Sequence, residues 1–167
     1  MKSIISIDKI NELTRDDFIG IFGNVFEKTN WIADQAYNLK PYKSFNQLSS
    51  IMIKIYENVS KEEYLKIFNA HPKLAVEKTL TKDSKKEQNN SNLNSCTETE
   101  FNEFLSLNDR YLKKFGFPFI IAVKGKNKKE ILINFRKRIE NKTESEFEEA
   151  KEQVKQIANS RLNKIID

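Results

Sequence analysis

His71 is the only histidine in the chain. It is therefore the only side chain whose ordinary pKa places a change of charge near neutral pH. It follows a stretch with helical spacing and precedes Pro72, so it stands where the chain turns. An imidazole there can work as a general acid or base, or it can simply sit at a helix end that favours positive charge. Further on, Ser84-Lys85-Lys86-Glu87-Gln88 spaces a hydroxyl, a carboxylate and a carboxamide along one turn. Ser84 and Glu87 have capping-box spacing, yet almost no apolar face follows them. A short helix without a packing stripe is unstable alone, so this one either frays or is held for another reason. Arg161 falls on the apolar stripe of Phe147, Ala150, Val154, Ile157, Ala158 and Ile165. A guanidinium on such a stripe is costly unless it meets an anion. That anion could be Glu87, another internal carboxylate or a bound substrate; otherwise the side chain snorkels to the core edge. Cys96, the single cysteine, lacks the neighbouring basic cluster that activates a thiol.

The elements that must position these residues are helical. Ser, Thr or Asn followed three residues later by an acidic residue or Gln recurs before periodic apolar stretches: Thr14/Asp17, Ser44/Gln47, Ser60/Glu63, Thr97/Glu100, Asn127/Glu130 and Thr143/Glu146. Phe18, Ile21, Phe22, Val25 and Phe26 share one face. So do Phe45, Leu48, Ile51, Met52, Ile55 and Tyr56, and so do Ile131, Leu132, Phe135 and Ile139. Short helices are expected over Trp31 to Leu39, stopped by Pro41, and over Lys61 to Ala70. Trp31 and the Phe stripes read as core. Residues 72–94 are polar and suggest a long loop, of the kind that often carries function. The run from Phe117 to Val123 is apolar, bracketed by Gly116 and Gly125, and Pro118 keeps Phe117 out of the helical region. It reads as a buried extended segment with no sheet to satisfy its backbone, so side chains, a second subunit or a ligand must do so. The expected fold is all-α: a single-domain bundle of about seven or eight helices over residues 1–167, with one short extended segment near 117–123.

Composition narrows the chemistry. One cysteine and one histidine exclude a disulfide framework, a cysteine zinc cluster and a two-histidine metal site within the chain. There is no metal signature and no glycine-rich phosphate loop. Against 29 basic residues stand 24 acidic ones, leaving +5 and a pI near 9.1. That balance suits an anionic small molecule or nucleic acid about equally. The densest basic stretch, Lys124 to Lys129, reads as a solvated turn. No apolar run is long enough to span a bilayer, and the opening residues 1–8 have no signal-peptide core. A soluble cytoplasmic protein is expected, with no membrane or nucleic-acid partner.

Taken in order, His71-Pro72-Lys73-Leu74-Ala75, Ser84-x-x-Glu87-Gln88, Phe115-Gly116-Phe117-Pro118-Phe119-Ile120 and Arg161-Leu162 resemble the 2-oxo-4-hydroxy-4-carboxy-5-ureidoimidazoline (OHCU) decarboxylases. Phe22-Gly23-Asn24-Val25-Phe26-Glu27 with Trp31 is similar to that family's N-terminal helix. The likeness covers nearly the whole chain. It departs at Asn89-Asn90-Ser91-Asn92, where the family usually has small residues, and the interval from His71 to Ser84 is shorter than in many members.

The resemblance implies an all-helical, homodimeric enzyme that needs no cofactor and completes the degradation of urate to allantoin. Its substrate is a small anionic ureidoimidazoline. It implies that His71 donates the proton or hydrogen-bonds at the reacting carbon, and that Glu87 orients His71 or holds substrate N–H groups. Ser84 and Gln88 then contact the ureido arm or ring, and Pro72 shapes the pocket wall. The backbone of Phe119, Ile120, Ile121, Ala122 and Val123 faces the ring, and Arg161 faces a substrate oxygen. Two other readings stand beside this one: a small basic helical module that binds nucleic acid or protein, and a relative that has drifted to another ureido or imidazoline substrate.

Overall fold

The computed structural model describes residues 5–166. The opening segment read for a signal peptide, residues 1–8, runs into residues outside that range. Among the described residues there are nine helices and no strand: α1 (Ile7–Glu12), α2 (Arg15–Phe22), α3 (Asn30–Tyr37), α4 (Phe45–Glu57), α5 (Lys61–Asn69), α6 (Lys82–Asn90), α7 (Glu98–Phe115), α8 (Lys128–Arg138) and α9 (Thr143–Ile166). The all-α expectation holds. The count exceeds the seven or eight expected, since one-to-two-turn helices such as α1 carry almost no periodic signal.

The helix starts are largely where capping chemistry puts them. Thr14, Ser44, Thr97 and Asn127 accept the backbone N–H three residues on at 3.2, 3.1, 3.2 and 2.9 Å. Thr97 and Asn127 complete the reciprocal box with Glu100 and Glu130. Ser60 and Glu63 do the same ahead of α5. Two expected boxes differ. α6 starts one turn earlier than Ser84 suggests: Thr81 is its cap and accepts from the Ser84 N–H at 3.3 Å. The earlier start also puts Asp83 in the first turn, where the helix dipole favours a negative charge. At the head of α9, Glu146 is fully buried and turned inward to Arg138, so it does not return to the helix start.

The described chain falls into two compact units. The first comprises residues 5–67 and 155–166. In it α2 packs on α3 and α3 on α4. Its core holds the paired rings of Phe18 and Phe22, 4.8 Å apart, and of Phe26 and Tyr56, stacked at 5.0 Å. Trp31, expected in the core, is instead 36% exposed. On α3 the buried face belongs to Ile32, Ala33 and Ala36, and Trp31 stands beside it.

The second unit comprises residues 68–154. Tyr111 of α7 lies at its centre, fully buried. Its ring meets Phe115, Phe117, Phe119 and Phe135 at 4.4 to 5.9 Å. Phe119 stacks on Phe135 at 3.9 Å. α7 ends at Gly116, whose φ of +78° closes the helix in the left-handed region and releases the chain into the apolar run 117–123, which is neither helix nor strand.

Candidate active site

Helix α6 reverses the usual pattern of a surface helix. Its buried residues are Ser84 and Gln88, and Ser91 at its C-terminal cap is buried too. Glu87 on the same face is half-buried. The spacing is that of one helical stripe, but the stripe is polar. This explains why the sequence shows no apolar face here and why the helix is nonetheless formed: hydrogen bonds to two neighbouring segments hold it.

The first of those segments carries His71. α5 ends at Asn69, and the His71 N–H donates to the Phe68 carbonyl at 3.1 Å. His71 and Pro72 are both half-buried. The loop then passes Leu74 to Ala75, which has a φ of +66°, a conformation uncommon for alanine. The Ala75 N–H donates to the Gln88 Oε1 of α6 at 3.1 Å. One turn of the loop is thus tied to the helix that carries Ser84 and Glu87.

The second segment is the run from Phe117 to Val123. Its backbone partners are side chains, one of the options left open by the sequence. The Ile120 carbonyl accepts from Arg138 Nη1 at 2.7 Å. The Ala122 N–H donates to Gln153 Oε1 at 2.8 Å, and the Ala122 carbonyl accepts from Lys126 Nζ at 2.9 Å. The Val123 carbonyl accepts from Ser91 Oγ at 2.9 Å and from the Lys126 N–H at 3.0 Å. Ile120 and Ala122 are thus tied to α8 and α9, and Val123 to α6, an alternation expected of extended chain. By that alternation Ile121 shares the α6 edge. Its N–H and carbonyl make no hydrogen bond to a described residue.

Arg138 anchors this run through a network that sequence reasoning missed. It pairs with Glu146 at 2.9 Å, with side-chain exposures of 8% and 0%. Glu146 also accepts from Asn141 at 3.0 Å and from the Tyr111 hydroxyl. Burial pushes the Tyr111 phenol well above its ordinary pKa, and its hydrogen bond to Glu146 adds to the rise. The Arg138 guanidinium also lies over the Phe119 ring, 4.5 Å from its centre. Its signal was present: Arg138 falls on the stripe of Ile131 and Phe135, as Arg161 falls on its own.

Arg161 lies in the first unit, 5% exposed. Its Nη2 donates to Glu27 Oε2 and its Nη1 to the Asn24 carbonyl, each at 2.8 Å. Among the anions left open by the sequence, an internal carboxylate is present, and the side chain does not snorkel. Asn24 and Glu27 belong to the N-terminal motif quoted above.

Other candidates fare less well. A groove of about 430 Å³ in the first unit is lined by Trp31, Leu39, Ile51, Ile55 and Val59 among others, and holds none of the expected catalytic or substrate-binding residues. In the basic stretch, Lys126 is engaged at Ala122, and Lys128 bonds the Ser95 carbonyl and Glu100, each at 2.9 Å. The Cys96 thiol is pushed above its ordinary pKa by burial, with Glu100 adding to the effect, the opposite of an activated nucleophile. Among the described residues no cluster of three acidic, histidine or cysteine side chains could hold a metal ion, and no helix is long and apolar enough to cross a membrane.

Known proteins share these elements. The family model described as OHCU decarboxylase matches residues 11–163. A 2-oxo-4-hydroxy-4-carboxy-5-ureidoimidazoline decarboxylase of Haloferax volcanii is 33% identical over 158 residues, which cover 95% of this chain and 94% of that protein. A uric acid degradation bifunctional protein of Bacillus sp. (strain TB-90) is 39% identical over 162 residues. The chain spans 32% and 33% of the lengths of that protein and its Bacillus subtilis counterpart. Among solved structures, an (S)-allantoin synthase superposes with a TM-score of 0.79 at 28% identity, over 98% of this chain and 54% of that one. A match that runs from α1 through α9 and takes in the His71 loop, α6 and the 117–123 run leaves one assignment: the chain belongs to the OHCU decarboxylase family.

Proposed function

We propose that the protein decarboxylates OHCU to (S)-allantoin, with the His71 loop, α6 and the 119–123 backbone forming the substrate site. The observation that carries this is the buried polar face of α6, joined to the His71 loop through Gln88 and to the 119–123 run through Ser91. A helix that turns serine and glutamine inward, rather than an apolar stripe, presents polar groups suited to a polar ligand.

In this reading the bond from the ring carbon to the carboxylate breaks and CO₂ leaves. The electron pair moves into a double bond to the neighbouring ureido-bearing carbon as the ring C=N there takes up the charge and its nitrogen is protonated, so the substrate supplies its own electron sink. His71 then delivers a proton to one face of that ureido-bearing carbon as the neighbouring enol hydroxyl gives up its own proton to become the ring carbonyl, which fixes the stereochemistry. Glu87 orients His71 or holds substrate N–H groups. Ser84 and Gln88 hydrogen-bond the ureido arm or ring. Because the Oε1 of Gln88 is engaged by Ala75, its NH₂ is the group left to donate, which suits a substrate carbonyl. Pro72 forms part of the wall. Along the run, Ile121 offers both backbone groups, whereas the Ile120 and Ala122 carbonyls are committed to Arg138 and Lys126. Phe119 and Val123 frame that position. The family resemblance assigns Arg161 to a substrate oxygen; within its own unit its charge is balanced by Glu27. The family resemblance further supports a homodimer acting in the cytoplasm without a cofactor.

The test is circular dichroism of freshly generated OHCU. Rapid growth of the (S)-allantoin signal with the protein supports the proposal; racemic product at the spontaneous rate defeats it. His71→Asn should fold normally and lose most of the activity.

A further inference from the structure

We propose that Asn108 is a positioning residue for His71. The inference rests on the reading above, in which His71 delivers the proton. Asn108 lies near the middle of α7 and is 2% exposed. Its Nδ2 donates to the Leu74 carbonyl at 3.0 Å and to the carbonyl of Phe104, four residues earlier in its own helix, at 2.8 Å. Its Oδ1 is buried with no hydrogen-bond partner among the described residues.

That arrangement makes poor sense as packing. A buried carbonyl oxygen without a partner is destabilising. Asparagine is also a weaker helix former than leucine, which has nearly the same shape and would carry no such penalty. What the carboxamide provides is a donor aimed at Leu74, whose carbonyl lies in a loop with no ladder to satisfy it. One residue later, Ala75 is held in the left-handed region with its N–H on Gln88. Two carboxamides from two helices therefore grip the two sides of one peptide group: Asn108 of α7 takes the carbonyl of Leu74, and Gln88 of α6 takes the N–H of Ala75. The other end of the loop is fixed at the end of α5 by the His71 N–H. Between these anchors lie only Pro72 and Lys73, and proline restricts its own φ. The imidazole is thus carried on a short, doubly tethered span. Removing the Leu74 anchor lets that span drift, and an offset of about 1 Å at a reacting group can cost on the order of 10²-fold in rate.

Two variants test this in the full-length chain. Asn108→Leu removes the donor and the orphaned acceptor together. Asn108→Ser keeps a hydroxyl that can bond its own helix but is too short to reach Leu74, and it serves if the leucine variant does not fold. The first readout needs no substrate. His71 is the only histidine, so its imidazole Hε1 gives one unambiguous NMR signal. In either folded variant that signal should shift and broaden at constant pH, whereas Leu107→Ala, a core truncation on the same helix, should leave it in place. The second readout is kinetic: kcat for OHCU should fall about 10- to 100-fold with KM within about twofold. An unmoved imidazole signal in a folded variant overturns the proposal, and so does a moved signal with unchanged kcat. Failure of the underlying functional reading shows itself separately, as full turnover by His71→Asn.

Discussion

Arg161 and Glu27 form a pair with 5% and 0% side-chain exposure, bonded at 2.8 Å. Breaking one side leaves a buried charge uncompensated, which costs about 3–5 kcal/mol. Arg161→Ala should therefore lower stability by roughly that much in guanidinium denaturation. Arg161→Met combined with Glu27→Leu should recover most of the loss, because an apolar pair of similar volume avoids desolvation. An additive double variant would show that the two side chains do not act as a pair. The same logic separates what could be read at residue scale from what could not. That Arg161 needs an anion is visible from its stripe. That the anion is Glu27, 134 residues away in sequence, is set by tertiary packing. Arg138 and Glu146 repeat the lesson more sharply: Glu146 had the spacing of a cap, and only its long-range partners turned it inward.

At the scale of elements, capping chemistry was the most legible feature, because a cap is decided within about four residues. Thr97→Ala should destabilise α7 by about 1 kcal/mol, read as a lower denaturation midpoint. At the other end of that helix, Gly116 sits at φ +78° with nothing within 4 Å of an added Cβ. Gly116→Ala should cost about 1–2 kcal/mol through backbone conformation alone, without a steric clash; a neutral result would show that the helix end rearranges freely. α6 was legible only as an anomaly. Its spacing announced a helix and its composition denied a core, and the structure resolves this by burying its polar side. The exact start of α6 was misread because Thr81 and Ser84 both have cap chemistry, and local sequence alone does not choose between them.

Across the whole molecule, each unit holds a buried tyrosine whose ionisation is suppressed. Burial pushes Tyr42 up to about 12, and Tyr111 lies higher still, raised by burial and by Glu146. Both phenols are raised in the folded state, so their contribution is complete below the ordinary value of 10.0. It is lost as pH climbs from there, when the unfolded chain ionises and the folded one does not. Stability should thus fall steeply above about pH 10, with tyrosinate absorbance from these two rings appearing together with loss of far-UV dichroism. Absorbance that completes well before the helices melt would contradict it. The all-α class was readable because helical periodicity repeats along the chain. The division into two units, each with its own tyrosine, was not, since it depends on which helices meet.

The exposed position of Trp31 has a practical consequence, because it is the only tryptophan in the chain. Its indole already touches solvent in the native state, so its emission should lie toward the red and change little in wavelength on denaturation. It lines the α3–α4 groove of the first unit, whereas α6, α7 and the His71 loop belong to the second. Intrinsic fluorescence is then a poor gauge of melting, whereas an indole introduced at Phe135, against Phe119, would report directly on the run that α8 clamps.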